Sequence, residues 1–183
     1  AKKQNSALIY ASSAATYGNS PSPQTIGHEN PLNPYGFSKY AMDQIASKFI
    51  KKNPKMHIIG LRYFNVYGSR EFYKGSTSSM VIQLGHQILK GKSPRLFNKS
   101  KNIFRDFINI EDVIQANVKA CISTRSNVYN IGTGIPRSFQ DISDILQKEL
   151  GTNYETDYFS NPHKSYQSHT QADIHTASEA FNF

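Results

Sequence analysis

The sequence predicts an α/β fold built on a parallel sheet, and three observations carry that expectation. Apolar runs at residues 7–11 and 56–64 lack the polar alternation of half-exposed strands, so they suit parallel strands covered on both faces. A well-signalled helix lies between them, and strand, helix, strand in that order implies a right-handed crossover between parallel neighbours. The first run leads into Ser-Ser-Ala-Ala-Thr-Tyr-Gly from Ser12 to Gly18, small and hydroxylated residues at a strand's carboxyl end, where such sheets hold ligands.

Residues 19–33 are rich in Pro, Ser, Gly and Asn and read as a loop. Asn33 can cap the helix that follows, Pro34 suits its first turn, and the helix runs to about Lys52, before Pro54. Phe37, Ala41, Ile45 and Phe49 recur every four residues with Met42 and Ala46 beside them, the repeat that signals a helix. After the second strand and Asn65-Val66-Tyr67-Gly68, a polar segment reaches Ser76. A helix is then expected from about Thr77 to Lys90, with Met80, Leu84 and Ile88 on one side and Gly91 as its stop. Residues 95–98 and 103–110 read as strands, and Glu111 and Asp112 open a helix carrying Val113, Ala116, Ala120 and Cys121. A strand at 128–131, a Gly132-Thr133-Gly134 turn and a helix from Ser138 to Leu150 follow, with Gly151 ending the helix. Beyond Tyr154 the expectation is one strand, then polar sequence without clear periodicity.

Length and composition narrow the classes. A chain of 183 residues, 38% apolar and with 11 Tyr and 11 Phe, can bury a sizeable core. No apolar run approaches the ~20 residues of a membrane span, and Ala1-Lys2-Lys3-Gln4-Asn5 is not followed by an apolar export segment. A soluble, cytoplasmic protein is expected. Cys121 is the only cysteine, which excludes an internal disulfide and suits a reducing compartment; it is expected to be a small core residue on its helix. The net charge of +8 is spread along the chain. Its densest cluster, Lys48, Lys51, Lys52 and Lys55, falls at a helix end, where cations complement the dipole. A small anionic ligand is therefore expected rather than nucleic acid or a membrane. The six His, at 28, 57, 86, 163, 169 and 175, show no ligand spacing, so no metal site is expected.

The chemistry is concentrated at Asn33-Pro34-Tyr35-Gly36-Phe37-Ser38-Lys39. Tyr35 and Lys39 stand four apart and project from one helix face. A phenol ionises near pH ~10, and an ammonium beside it favours the phenolate, the form that accepts a proton.

With Ser13 lying 22 positions upstream, these residues resemble the Ser, Tyr-x-x-x-Lys triad of extended short-chain dehydrogenases/reductases that act on nucleotide sugars. Further motifs narrow the resemblance. Arg62-Tyr63-Phe64-Asn65-Val66-Tyr67-Gly68, Arg70-Glu71 with Lys74-Gly75-Ser76, Arg105-Asp106-Phe107, Asn130-Ile131-Gly132-Thr133-Gly134, Tyr166-Gln167 and Thr170-Gln171-Ala172-Asp173 are similar to the ADP-glycero-manno-heptose 6-epimerase family over almost the whole chain. That family starts with a Gly-x-x-Gly-x-x-Gly turn that holds a dinucleotide pyrophosphate, and the turn is not in this sequence.

The resemblance implies the C-terminal half of an NAD(P)-binding Rossmann-type sheet plus a smaller mixed α/β substrate domain. Residues 1–68 would be the second half of the Rossmann-type domain and 69–183 mainly the substrate region, with about 105–135 returning to the sheet. It further implies inversion at carbon 6 of the heptose of an ADP-sugar, in lipopolysaccharide core precursor synthesis, with NADP as cofactor and NAD as the alternative. Tyr35 and Lys74 would be the two acid/base groups, Lys74 desolvated by Phe72 and Tyr73. Ser13 would bond the reacting oxygen, and Lys39, Val66 and Lys74 would meet the cofactor. Ser13, Asn65, Ser76, Gln83, Phe97, Asn98, Lys99, Ser100, Arg105 and Tyr166 would line the substrate, Arg105 on its diphosphate. His163, Lys164 and Ser165 precede Tyr166 where relatives carry Arg just before the Tyr. The family commonly assembles, so a homo-oligomer is implied, and the piece alone is expected to be inactive. Two alternatives stay open: another nucleotide-sugar epimerase or dehydratase, and a non-catalytic truncated relative that only binds.

Overall fold

In the computed structural model, which describes residues 6–161 and 166–183, β1 (Leu8–Ser13) lies parallel to β2 (Ile58–Tyr63). Their register runs from Leu8 opposite Ile58 to Ser13 opposite Tyr63. β6 (Asn127–Ile131) adds to the other side of β2, also parallel, in the order β1-β2-β6. β2 is buried from Ile58 through Arg62, which is why its residues run without polar alternation. The crossover from β1 to β2 is α1 (Pro34–Lys52), which Asn33 caps by accepting the Gly36 N–H at 2.8 Å.

The apolar repeat of α1 does not mark its buried face. Phe37 and Ile45 are 62% and 68% exposed, and the positions that α1 buries are Gly36 and Asp43. The helix turns a carboxylate inward because partners wait for it there. Asp43 Oδ1 accepts the Tyr10 hydroxyl at 2.9 Å, and Oδ2 accepts the Ser12 hydroxyl at 2.9 Å and Arg62 Nε at 2.8 Å. Arg62 Nη1 reaches Glu29 Oε1, and its guanidinium lies 4.9 Å from the Tyr17 ring centre. Burial works against the guanidinium charge, but Tyr17, Asp43 and Glu29 outweigh it and hold Arg62 above its ordinary range. Burial also pushes the Tyr17 phenol up to about 12. Its hydroxyl donates to Asn130 Oδ1 at 2.6 Å, and Asn130 Nδ2 donates to the Gln24 and Asp173 carbonyls.

Past β2 the chain builds a second region. β3 (Asn65–Tyr67) runs parallel to β5 (Phe104–Asn109), and β7 (Pro136–Ser138) pairs antiparallel with β5. β4 (Arg95–Phe97) pairs in parallel with β8 (Asp157–Phe159). One core joins Ile59, Leu61 and Tyr129 of the first sheet to α3 (Ile110–Ile122) and α5 (His175–Phe181). A second packs α2 (Met80–Leu89) and α4 (Phe139–Glu149) over Leu96 and Phe107.

Several boundaries differ from expectation. α2 begins at Met80 rather than Thr77, because Phe72–Thr77 winds in 3₁₀ turns and Ser79 caps the α-helix by accepting the Ile82 N–H. β3, β7 and α5 are too short for periodicity to announce them. Cys121 is exposed rather than core: α3 buries Val113, Ala116 and Ala120, and a step of ~100° past Ala120 leaves the buried face. No described helix is long and apolar enough to cross a membrane.

Two outcomes follow from the Asp43 network. Asp43→Ala removes one of the two buried carboxylates on Arg62, leaving Glu29, and deprives the Tyr10 and Ser12 hydroxyls of their acceptor, so it is expected to cost about 3–5 kcal/mol in urea unfolding. The Glu29 carboxyl is burdened by burial, yet the Gly27 N–H and Arg62 hold it below its usual range. Its contribution is therefore present above the unfolded carboxylate value of about 4.3 and lost as pH falls through the lower folded one. Glu29→Gln should be less stable than the parent at neutral pH and should converge with it in acid.

Candidate active site

Ser13 ends β1, and its hydroxyl oxygen accepts the Ala15 N–H at 3.1 Å, starting the 3₁₀ turn Ala14–Tyr17. Gly36 lets the first turn of α1 rest on that turn, since a Cβ there would stand 2.4 Å from the Ala15 carbonyl oxygen. Tyr35, beside Gly36, is thereby set at the turn that Ser13 opens, with 57% of it exposed. One turn along, Lys39 Nζ donates to the Ala11 carbonyl at 3.0 Å and lies 5.9 Å from the Tyr35 ring centre. The structure thus gathers Ser13, Tyr35 and Lys39 around residues 11–15.

Because Ser13 is level with Tyr63, the chain beyond β2 emerges at the same carboxyl edge. Asn65 Oδ1 there accepts the Thr170 hydroxyl at 3.4 Å. Val66, Gly68, Glu71, Lys74 and Ile110 are among the residues lining a cleft of about 570 Å³. Lys74 Nζ stands 3.7 Å from Glu71 Oε2, with 53% of the side chain exposed. Phe72 and Tyr73 do not bury it as expected; they stack on each other at 4.2 Å and are themselves exposed. Ser76 is exposed on the same segment. Gln83 Nε2 is committed to this segment, donating to the Ser76 and Ser78 carbonyls at 3.2 and 2.7 Å.

Arg105, on β5, is partly buried, its guanidinium 5.4 Å from the Phe139 ring centre and its Nη1 donating to the Phe104 carbonyl. No carboxylate pairs with it among the described residues. Burial pulls it down to about 10, with Tyr166 acting in the opposite sense. A partly buried cation short of a counter-charge is disposed to take an anion. Its neighbour Asp106 is fully buried and accepts Thr133 N–H, Thr133 O–H, Gly134 N–H and Ala172 N–H at 2.7 to 2.9 Å.

The 97–100 stretch is divided. Phe97 packs into the second core against Phe159, and Ser100 turns its hydroxyl inward to Gln140 at 3.4 Å. Asn98 and Lys99 are exposed, as is Tyr166. His163, Lys164 and Ser165 lie outside the described residues. The sequence motifs include Glu71 and Asp106 without indicating what they hold, and Asp43 lies in none of them; each stands within four residues of a predicted site cation, which is the signal the sequence offers.

Comparison with known proteins is consistent with this arrangement. Residues 1–132 match the NAD dependent epimerase/dehydratase family. The structure superposes on the ADP-L-glycero-D-manno-heptose-6-epimerase of Helicobacter pylori with a TM-score of 0.89 and 42% identity, covering 100% of this chain and 55% of that one. The UDP-glucose 4-epimerase of Thermotoga maritima, solved with UDP-glucose, gives 0.86 and 26% over 96% of this chain and 57% of that one. The UDP-glucuronic acid 4-epimerase of Bacillus cereus, solved with UDP-glucuronic acid and NAD, gives 0.81 and 27% over 96% and 55%. The fold is that of nucleotide-sugar epimerases, and the chain spans a little over half the length of these solved relatives.

The close approach at Gly36 is directly testable. Gly36→Ala drives a Cβ into backbone that cannot yield as a side chain would, and should cost about 1–3 kcal/mol by thermal or urea unfolding. Gly85→Ala, where a Cβ meets open space inside α2, should be neutral or slightly stabilising.

Proposed function

The chain belongs to the NAD dependent epimerase/dehydratase family, and from that premise we propose that it is the catalytic and substrate-binding part of an ADP-glycero-manno-heptose 6-epimerase. The observation that carries the reading is Lys74. It is a second proton carrier on a cleft wall beyond β3, separate from Tyr35 on α1. Where the oxidised sugar does not turn over in the site, inversion needs the oxygen's proton handled from each side, and one phenol on one helix reaches only one.

Tyr35 takes or gives the proton of the sugar oxygen on its side, and Ser13 steadies that oxygen by a hydrogen bond. Lys74 performs the same exchange from the other side. Arg105, partly buried beside Phe139 and with no carboxylate partner among the described residues, binds the diphosphate. Asn65, Ser76, Gln83, the 97–100 stretch and Tyr166 complete the sugar-nucleotide wall. A nicotinamide dinucleotide, NADP in this reading, supplies reversible oxidation when bound. The residues here fit it: Lys39 offers an ammonium at the carboxyl end of β1, and Val66, Gly68 and Lys74 line one continuous cleft. The remaining expectations of a cytoplasmic homo-oligomer serving lipopolysaccharide core synthesis belong to the same reading. Residues 1–68 with about 105–135 form its sheet domain, and the rest of 69–183 its substrate region.

The test uses the full-length protein and ADP-glycero-manno-heptose. Tyr35→Phe and Lys74→Ala should each lower turnover by about 10²-fold or more, and Arg105→Ala should raise KM for the ADP-sugar by about tenfold or more. Undiminished turnover in Lys74→Ala, with inversion at another carbon of a different nucleotide sugar, would exclude the heptose reading in favour of a single-base epimerase.

A further inference from the structure

We propose that Glu71 is a positioning residue that holds the Lys74 ammonium over the cleft, an inference that rests on the two-base reading above. Glu71 is buried, only 6% exposed. Its Oε1 accepts the Gly68 N–H at 3.0 Å and the Ser79 hydroxyl at 2.9 Å, and its Oε2 accepts the Ser79 N–H at 2.7 Å. Gly68 and Ser79 flank the segment that carries Lys74, so a single carboxylate gathers both ends. The same Oε2 faces Lys74 Nζ at 3.7 Å, the one carboxylate within 4 Å of that ammonium among the described residues. Lys74 is also fixed along its backbone, its N–H on the Glu71 carbonyl at 2.9 Å and its own carbonyl on the Thr77 hydroxyl at 2.7 Å. Burial alone would raise the Glu71 carboxyl, but the Ser79 and Gly68 donors and Lys74 hold it below its usual range, so it stays charged near neutrality.

A half-exposed ion pair contributes little stability. What the pair does supply is direction, because a lysine stem with free torsions is otherwise spread over many rotamers. A competing account has Glu71 as a loop staple alone, indifferent to Lys74. A double-mutant cycle separates the two.

In the full-length protein acting on ADP-glycero-manno-heptose, kcat and KM are measured for Glu71→Gln, Lys74→Ala, the double variant, and Ser79→Ala, with melting temperatures recorded for each. Positioning predicts that Glu71→Gln lowers kcat by about 10- to 100-fold with KM within about threefold, a loss of the size a misplaced catalytic group gives. It further predicts no added loss on top of Lys74→Ala, and Ser79→Ala near the parent kcat. A Glu71→Gln loss that repeats in full in the Lys74→Ala background, or a Ser79→Ala loss of equal size, overturns the proposal and leaves a staple. Should Glu71→Gln fail to fold, the cycle is run with Glu71→Asp, which keeps the charge one methylene short of its partners and is held to the same two criteria. Wild-type turnover in Lys74→Ala is a different failure: it removes the two-base reading, and the role of Glu71 falls with it.

Discussion

The buried pair between Asp43 and Arg62 is the constraint on which the arrangement of this chain depends. Two parallel strands and the helix between them bring Tyr10, Ser12, Asp43 and Arg62 to one place, and the Asp43 carboxylate bonds all three of the others. A buried ion pair adds little net stability over apolar side chains of the same shape. Its effect here is geometric. An apolar helix face can shift or roll against a sheet and still bury area, whereas Asp43 meets its three donors in only one placement of α1. Lys39 lies one turn before Asp43 and Tyr35 two turns before, so the placement that satisfies Asp43 also sets the phenol and the ammonium.

That dependence explains what was legible in the sequence and what was not. The strand, helix, strand order, the Asn33 cap and the end of α1 at Lys52 stand where the residues pointed, because caps, proline and continuous apolar runs are local signals. The gathering of Ser13, Tyr35 and Lys39 could be read from spacing and resemblance together. The buried face of α1 could not. Periodicity reports where apolar residues recur, and on α1 they recur on the outside: Phe37 and Ile45 face solvent while Asp43 faces the sheet. A carboxylate in a helix reads the same way whether it is solvated or satisfied by three donors from distant strands. The three-residue strands β3 and β7 escaped for a simpler reason, since each exists only through its pairing with β5.

Beyond β2 the same logic recurs with different partners. Asp106 draws the Thr133–Gly134 turn and Ala172 against β5. Gly132 is needed there because a Cβ would stand 2.8 Å from Asp106 Oδ2 and 2.7 Å from the Ala172 Cβ. Arg105, one residue earlier on a strand, projects to the opposite face. Satisfying Asp106 on one face thus leaves the guanidinium of Arg105 on the other, against Phe139 and without a carboxylate partner among the described residues. The unevenness between these neighbours, one saturated and one with no carboxylate among the described residues, supports the proposed anion-binding role of Arg105.

Asp43, Glu71 and Asp106 therefore share a design. Each is a buried carboxylate whose acceptors are filled from several segments, and each lies within four residues of a cation proposed for the site: Lys39, Lys74 and Arg105. The contact is direct only for Lys74; for Lys39 the influence passes along a helix, and for Arg105 along a strand. The difference follows from what carries the cation. A regular helix or strand already fixes the direction of a side chain, so anchoring the element is enough. The 3₁₀ segment Phe72–Thr77 changes direction at Gly75, whose φ is +52°, and anchoring its ends leaves the lysine stem undirected. On that segment alone, the anchoring carboxylate must also face the ammonium.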